Sequence, residues 1–308
     1  MTDTVVERSE DAIAKGSQSF AAAAKLFDRE TREDAVMLYA WCRHCDDVID
    51  GQVVGHDQAK DFREGQRHRL AELREKTSAA LAGEASGEYL FEALRRVVAR
   101  HDIPHRHPQE LLVGFEMDVE YRRYRTIEET LDYCYHVAGV VGVMMAMIMG
   151  VRDRAVLDRA SDLGLAFQLT NIARDVIDDA RAGRVYVPED LLTRHGIAQV
   201  APEDREQWPR LHAAALDLLE LSDAYYRSAY GGLSALPPRS AWAIAAARRI
   251  YQAIGAKLRA GGPSAWEQRV STTRTEKLAL LTAGLGDVAA TRIYRGVTPR
   301  DKLWQRPV

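Results

Sequence analysis

The sequence has 308 residues, of which 46% are hydrophobic and 28% charged, and its formal net charge is −3 at pH 7. This composition is typical of a globular protein with a sizeable core, and it lacks the basic excess that binding to a nucleic-acid backbone requires. The three cysteines, Cys42, Cys45 and Cys134, are too few for a disulfide framework and indicate a reduced intracellular protein, which we expect to be cytoplasmic.

Helix-forming residues fill most of the chain, apolar side chains recur three or four positions apart, and no alternating strand pattern is bounded by hairpin turns. The pattern predicts helices, in chain order, at 9–25, 30–50, 57–82, 87–101, 108–122, 126–150, 154–180, 203–231, 239–260 and 276–293. We therefore expect an all-α protein with a single domain over residues 1–308. Within it, we expect residues 1–10 to be poorly ordered and the tail 295–308 to be irregular.

The longest apolar run extends from Val137 to Gly150 and is shorter than the roughly 20 residues that a membrane-spanning helix needs. We interpret it as a buried helix. The polar N-terminal residues also lack the apolar centre of a signal peptide. The sequence leaves the oligomeric state and peripheral contact with a membrane open.

The predicted helix 30–50 carries a polar stripe near its end. Tyr39, Arg43, Asp46 and Asp50 are spaced to share one face, whereas Asp47 lies about a hundred degrees away at 3.6 residues per turn. Two carboxylates one turn apart can bind a hard cation such as Mg²⁺, which prefers oxygen ligands and often binds substrate phosphates.

The predicted helix 154–180 repeats the arrangement. Gln168, Asn171, Asp175 and Asp179 form one stripe of side-chain oxygens. The opposite face is apolar and suits a core, with Leu165, Leu169, Ile172 and Val176.

A single aspartate pair at this spacing is more often a solvated helix face than a site, because like charges one turn apart are mildly destabilising. Two such stripes in mostly apolar helices, each with an arginine nearby, are hard to explain without a ligand. A metal cluster between them suits a diphosphate, whose charge metals neutralise as it leaves. Arg43 and Arg174 could bind phosphate oxygens, and Tyr39 could donate a hydrogen bond to the same group.

Several segments resemble the squalene/phytoene synthase family, and the resemblance covers nearly the whole chain. The two stripes are similar to its aspartate-rich motifs, and Tyr133–Gly142 and Leu163–Asp179 are similar to its two signatures. Ser17–Phe20 resembles its Ser-Lys-Ser-Phe segment, with Gln18 where lysine is common. Three further matches are Trp41–Asp47, Ser271–Leu278 and Leu303–Pro307.

This resemblance implies a class I isoprenoid synthase fold, a helical bundle with a central cavity. It also implies a prenyltransferase of carotenoid biosynthesis that joins two geranylgeranyl diphosphates head to head, through prephytoene diphosphate, to phytoene and two diphosphates. The implied cofactor is Mg²⁺, with Mn²⁺ as an alternative, and no NADPH is expected. A lipid-like substrate keeps peripheral membrane contact open.

The resemblance also implies roles for individual residues. The metal-binding positions are Asp46, Asp50, Asn171, Asp175 and Asp179. The diphosphate-binding positions are Ser19, Arg43, Arg174, Tyr39 and Arg269. Two tyrosines, Tyr186 and Tyr251, match family tyrosines near the reacting diphosphates, and Gln168 belongs to the substrate-binding set.

Two further groups of residues are candidates for handling the prenyl chains. Aromatic faces can stabilise a carbocation, and Phe20, Tyr39, Phe167 and Tyr251 are candidates for that role or for simple core packing. Small and apolar residues of one helix could line a tunnel or serve close helix packing, namely Val137, Ala138, Val141, Gly142 and Met145.

Three alternative functions stay open. The first is the C30 reaction of squalene or dehydrosqualene synthesis from farnesyl diphosphate. The second is head-to-tail prenyl diphosphate synthesis, which Asp46-Asp47-Val-Ile-Asp50 fits but the second stripe and the Tyr133 signature do not. The third is a non-catalytic helical scaffold, which the complete set of carboxylates disfavours.

Overall fold

The computed structural model describes residues 4–16, 18–51, 63–293 and 299–307, without the side chains of Gln18 and Ser19. Within these ranges the chain is α-helical and contains no β-strand, as predicted. Its helices are α1 (Thr4–Gly16), α2 (Gln18–Ala24), α3 (Arg29–Asp50), α4 (Gln66–Leu81), α5 (Tyr89–His101), α6 (Arg106–Val119), α7 (Ile127–Cys134), α8 (Val140–Ile148), α9 (Arg154–Arg181), α10 (Glu189–Arg194), α11 (Trp208–Tyr230), α12 (Pro238–Gly261) and α13 (Arg274–Ile293).

Several helix boundaries differ from the predicted ones. The predicted helix 9–25 is two helices, α1 and α2, and the short helix α10 was not predicted. Helix α4 begins at Gln66, later than the predicted start at residue 57. Residues 63–65 form a turn, and Gly65, directly before the helix, adopts a left-handed conformation with φ of 73°. Residues 57–62 lie outside the described part of the chain.

The N-terminal segment differs from the expectation of poor order. Residues 4–10 belong to α1, whose side chains Val6, Ser9 and Ile13 are buried at spacings of three and four. This face packs against α3 and α5, so burial of an amphipathic face accounts for the helix. At the other end, residues 299–307 form turns and irregular structure, and residues 295–298 of the predicted irregular tail are outside the described ranges.

Helix α9 is the central element of the fold. It starts at the N-cap Asp153, whose carboxylate accepts a hydrogen bond from the Val156 amide at 3.1 Å, and it packs against α8, α11 and α12. The predicted core face is buried, including Leu165, Leu169 and Ile172. Because this face is held on the neighbouring helices, the opposite polar stripe is fixed in direction.

Helices α7 and α8 are joined by a π-helical turn, Tyr135–Gly139, which was not predicted. The combined segment Ile127–Ile148 is long and apolar enough to cross a membrane, but most of it is buried inside the fold. It approaches α9 closely, since a Cβ atom added at Gly142 would overlap the carbonyl oxygen of Ala160. The same holds for Gly164 against the carbonyl oxygen of Ala138.

Candidate active site

The helices enclose a cavity of about 830 Å³. One end is lined by the carboxylates at the C-terminal ends of α3 and α9, and the other by apolar residues nearer the start of these helices, such as Ala35 and Ala160. From Ala160 to Asp179 along α9 the rise is about 28 Å, at 1.5 Å per residue. The cavity is therefore elongated, with a polar end and an apolar end.

The predicted stripe of α3 lines the polar end, with Tyr39, Arg43, Asp46 and Asp50 on the cavity wall. Asp47, predicted to lie off the stripe, is buried and accepts a hydrogen bond from Nε of Arg43 at 2.9 Å. Arg43 also contacts Asp46, with 3.2 Å between Nη1 and Oδ2. Burial and the nearby charge of Asp50 nevertheless raise the pKa of Asp46 to about 7.

The stripe of α9 faces the same space, and Gln168, Asn171, Asp175 and Asp179 all line the cavity. Burial is the largest single effect on the pKa of Asp175 and raises it. The hydrogen bond from Arg174, with 2.7 Å between Nε and Oδ1, and the charges of Arg174 and Arg269 together outweigh burial, so the pKa is lowered. Burial and then the charge of Asp175 raise the pKa of Asp179 well above its ordinary value.

Arg269 reaches this stripe from the segment that precedes α13. Its Nη2 donates to Oδ2 of Asp175 at 3.3 Å, and most of the side chain is exposed. Both Arg174 and Arg269 are thus placed at the polar end of the cavity, where a phosphate group could replace Asp175 as their partner. The side chain of Ser19, the remaining predicted diphosphate contact, lies outside the described residues.

The donors at the polar end suit a divalent cation that prefers oxygen ligands. The side-chain oxygen Oδ1 of Asn171 is buried and has no hydrogen-bond partner. Asp46 and Asp179 both carry raised pKa values, so a cation would relieve their mutual repulsion with Asp50 and Asp175. No three acidic, histidine or cysteine side chains among the described residues converge on one point. A cation here would share the stripes with oxygens of a bound substrate, as Mg²⁺ commonly does.

Two residues at this end were not predicted as site residues. Arg184, after α9, donates from Nη2 to Oδ1 of Asp50 at 2.6 Å, and its Nε is buried without a hydrogen-bond partner. Asp118, on α6, is buried and lines the same cavity. Burial raises the pKa of Asp118 to about 6, against the opposing effects of Arg184 and of the Tyr186 hydroxyl.

The predicted Tyr186 lines the cavity and is hydrogen-bonded to Asp118. Its hydroxyl donates to Oδ1 of Asp118 at 2.7 Å, and the Tyr133 hydroxyl donates to Oδ2 at 3.3 Å. The two tyrosine rings stack with centroids 4.7 Å apart. Tyr133 was part of a recognised motif, but neither its hydrogen bond nor its position on the cavity wall was predicted.

The four aromatic candidates form one cluster at the junction of the polar and apolar ends. The Phe167 and Tyr251 rings stack with centroids 4.1 Å apart. Phe20 lies against Tyr39, Phe167 and Tyr251 at centroid distances of 5.9 to 6.1 Å. All four line the cavity, so their ring faces can contact a bound molecule.

The predicted apolar wall residues all line the cavity, and Gly142 also serves close helix packing. Five residues of the helix line the cavity, namely Val137, Ala138, Val141, Gly142 and Met145. Gly142 also allows the close approach of α8 to α9, since no larger residue fits against Ala160. At Gly142, lining the cavity and allowing close helix packing are therefore compatible.

Comparisons with known proteins identify the family of this chain. The squalene/phytoene synthase family model matches residues 13–276. The chain is also 54% identical over 307 residues to a 15-cis-phytoene synthase of a Paracoccus species, covering 100% of this chain and 99% of that protein. The chain belongs to the squalene/phytoene synthase family. Another similar member is the 15-cis-phytoene synthase of Enterobacter agglomerans, 51% identical over 95% of this chain and 99% of that protein.

Solved structures show the fold of this squalene/phytoene synthase family member. A dehydrosqualene synthase in complex with a ligand superposes with a TM-score of 0.81 at 24% identity, over 93% of this chain and 97% of that one. A squalene synthase from Alicyclobacillus acidocaldarius superposes with a TM-score of 0.71 at 26% identity, over 84% of this chain and 94% of that one. The predicted isoprenoid synthase helical fold is therefore confirmed.

Proposed function

We propose that this chain is an Mg²⁺-dependent prenyltransferase that condenses two geranylgeranyl diphosphates head to head to phytoene. One observation carries the proposal: identity of 54% extends over 100% of the chain to a protein named 15-cis-phytoene synthase. The elongated cavity, polar at one end and apolar at the other, supports it, because such a substrate combines a diphosphate with a long hydrocarbon chain.

The diphosphates bind at the polar end in this proposal. Mg²⁺, held by Asp46, Asp50, Asn171, Asp175 and Asp179, would neutralise the diphosphate oxygens and the charge that develops on the leaving group. Arginine side chains supply further positive charge, each with several donors suited to phosphate. They are Arg43, Arg174, Arg184 and Arg269, and all four line the cavity.

The reaction consists of two ionisations, each followed by loss of a proton. The donor diphosphate leaves with its bonding electron pair, and the double bond of the acceptor attacks the allylic cation. Proton loss closes the cyclopropane of prephytoene diphosphate. The second diphosphate then leaves, the carbon skeleton rearranges, and loss of another proton gives the central triene of phytoene.

The aromatic cluster stabilises the cations. Phe167 and Tyr251 stack beside the polar end, and the negative ring faces of such a cluster attract positive charge without offering a nucleophile. The apolar walls beyond the cluster exclude water, which would otherwise capture a cation. The described residues thus separate the charged leaving groups from the reacting carbons.

The apolar end suits chains longer than farnesyl. Small side chains line it, namely Ala24, Ala35, Ala146, Ala160 and Ala243. These alanines fill less of the cavity than larger apolar residues would, and they leave room for a long prenyl chain beside the larger Phe27, Met149 and Leu236. The alternative C30 reaction has no comparable support, since the dehydrosqualene synthase resembles the chain at 24% identity and shows the fold alone.

The test is an incubation of the purified protein with geranylgeranyl diphosphate and Mg²⁺, without NADPH, followed by chromatography of the extracted lipids. We expect a C40 hydrocarbon with the absorption pattern of phytoene, and we expect a chelator to abolish it. A parallel incubation with farnesyl diphosphate measures the chain-length preference.

A C30 product from farnesyl diphosphate, with none from geranylgeranyl diphosphate, would overturn the proposed substrate while keeping the reaction type. Product formation that persists in the chelator would overturn the metal assignment. Absence of product from both substrates, in a protein with the helical circular dichroism expected of this fold, would contradict the proposed enzyme activity.

A further inference from the structure

Helix α13 has an apolar face that no other described part of the chain covers. Within the described ranges, the large hydrophobic residues that are exposed are Leu278, Leu285 and Ile293, at 67%, 47% and 72%. All three belong to α13. Isolated exposed apolar residues are common on protein surfaces, but their concentration on one helix indicates a binding surface.

These residues share one side of the helix. Positions 278, 282, 285, 289 and 293 follow each other at intervals of three or four, which places Leu278, Leu285, Ala289 and Ile293 on one outer face together with the exposed Thr282. The opposite side packs on α12. The buried Gly284 is on this packed side, since a Cβ atom added there would lie 3.1 Å from the backbone nitrogen of Ala246.

Basic residues border the apolar face. Arg274 lies in the first turn of α13 and Arg292 in the last, and neither forms an ion pair with a described carboxylate, although Arg292 also donates to the backbone oxygen of Leu236 at 3.2 Å. The two acidic residues of the helix are already neutralised, because Glu276 binds Lys257 and Asp287 binds Arg249. The outer side of α13 is therefore apolar with positive charge at both ends.

The start of α13 adjoins the cavity. Lys277, next to Leu278, lines the cavity, as do residues 269–272 directly before α13. A surface that holds α13 would therefore lie beside the compartment in which we place the substrates.

We propose that the outer face of α13, defined by Leu278, Leu285, Ala289 and Ile293, docks on an anionic phospholipid bilayer. Apolar side chains with basic residues at the edge, here Arg274 and Arg292, are typical of helices that lie in the membrane interface. Anionic headgroups complement the basic residues, and each basic side chain near such a surface contributes to binding. The reason for docking rests on the proposed function, since both substrate and product would be lipids.

A second copy of the chain is a poorer occupant. In a twofold pairing of α13 helices that run antiparallel, Arg274 of one copy would face Arg292 of the other, which places like charges together. A bilayer with anionic headgroups has no such conflict.

The experiment measures sedimentation of the full chain with vesicles of phosphatidylcholine and phosphatidylglycerol in equal parts, without substrate. We expect binding that is weaker with pure phosphatidylcholine. The triple variant Leu278→Ser, Leu285→Ser, Ile293→Ser should bind roughly 1,000-fold more weakly, because side chains of this size each contribute about a tenfold step when buried. These positions are exposed, so the variant should keep its helical circular dichroism.

A pair of charge reversals provides the matched control. Arg274→Glu on α13 should weaken binding to the anionic vesicles roughly tenfold, whereas Arg67→Glu on the exposed side of α4 should not change it. Equal effects of the two reversals, or full binding by the triple variant, would overturn the proposal. So would a dimer that the triple variant converts to a monomer.

A second readout separates this proposal from the proposed function. Turnover of geranylgeranyl diphosphate in detergent should be the same in the triple variant and the unaltered chain, while turnover from vesicles should fall in the variant. A chain that binds vesicles but makes no product in detergent would contradict the proposed function alone. Loss of turnover in detergent by the variant would count against a role limited to docking.

Discussion

Arg184 donates from Nη2 to Oδ1 of Asp50 at 2.6 Å and so joins the loop after α9 to the C-terminal end of α3. The charge of the same guanidinium opposes the rise in pKa that burial causes at two further carboxyls, Asp118 and Asp179. One arginine is thus a shared positive charge for three carboxylates at the polar end of the cavity.

Replacement of Arg184 by alanine should destabilise the metal-free protein by about 3 kcal/mol, because it leaves partly buried carboxylates without their counter-charge. Mg²⁺ should restore more of the melting temperature in this variant than in the unaltered chain, since the cation takes over the lost charge. Melting curves in chelator and in Mg²⁺ measure both effects.

Arg181→Ala is the matched control, because its partners Asp178 and Glu203 are exposed and such pairs contribute about 0 to 1 kcal/mol. Equal destabilisation by the two substitutions would contradict the special position of Arg184.

Neighbouring aspartates of α9 should differ sharply in their effect on turnover. Asp179 lines the cavity, whereas the side chain of Asp178 is 65% exposed and contacts Arg181. Asp179→Asn should lower kcat roughly a hundredfold or more, because a weakened metal site no longer stabilises the leaving group. Asp178→Asn should leave kcat near that of the unaltered chain.

The same outcome as for Asp179 is expected of Asp46→Asn and Asp175→Asn. Initial rates over a range of Mg²⁺ concentrations, with circular dichroism of each variant, make the comparison. Rates near the unaltered level in both Asp46→Asn and Asp175→Asn would contradict the metal-site assignment.

Asp118 predicts a pH dependence of stability in the metal-free protein. Its pKa is raised from 3.8 to about 6 by burial, so the folded state binds the proton more tightly than the unfolded state. Protonated Asp118 therefore contributes to the free energy of unfolding. This contribution is fully present below about pH 4 and is lost as the pH rises from about 4 through about 6. At pH 7 the loss is of the order of 3 kcal/mol.

Asp118→Asn should remove this slope, because an amide can still accept from Tyr186 and does not titrate. Denaturation midpoints of both proteins across this pH range, in chelator, provide the measurement. The groups facing Asp118 are Arg184, Tyr186, Tyr133 and Asp50. Parallel curves for the two proteins would show that another of these groups sets the slope.

The all-α class and the positions of both stripes could be predicted because helical spacing is visible in the local sequence. Asp46 and Asp50, like Asp175 and Asp179, repeat after one turn, so each pair marks a face before any packing is known. Their roles as metal ligands stay predictions.

Asp118 and Arg184 could not be found in this way. Asp118 has no second carboxylate three or four positions away in α6, and Arg184 follows the last turn of α9. They meet the stripes only through packing between distant segments, which no short motif records.

The π turn Tyr135–Gly139 likewise depends on hydrogen bonds that residue propensity does not specify. Such turns are frequent at functional sites, and this one adjoins the cavity residues Val137 and Ala138.

The close contact between α8 and α9 can be tested with two glycines. Gly142→Ala should destabilise the fold by about 1–3 kcal/mol, because the added methyl group overlaps the Ala160 carbonyl and forces the helices apart. Gly286→Ala on α13 meets nothing within 4 Å and should stabilise by about 0.5–1 kcal/mol, through helix propensity alone. Thermal unfolding of both variants measures these two opposite changes in stability. A neutral Gly142→Ala would mean that the two helices can separate without cost.

The aromatic cluster predicts a specific kinetic effect at Phe167. This ring stacks on Tyr251 and lines the cavity, so Phe167→Leu keeps the apolar volume but removes a negative ring face beside the cation. A contribution of about 0.5–2 kcal/mol corresponds to a loss of roughly 2- to 30-fold in kcat, with little change in KM. Phe167→Tyr should retain most of the rate, because the ring face remains.

Phe91→Leu is the control. Phe91 is fully buried away from the cavity, so this substitution should lower the melting temperature and leave kcat of the folded protein unchanged. A loss in Phe167→Leu that appears only in KM would assign the ring to substrate packing instead of cation stabilisation.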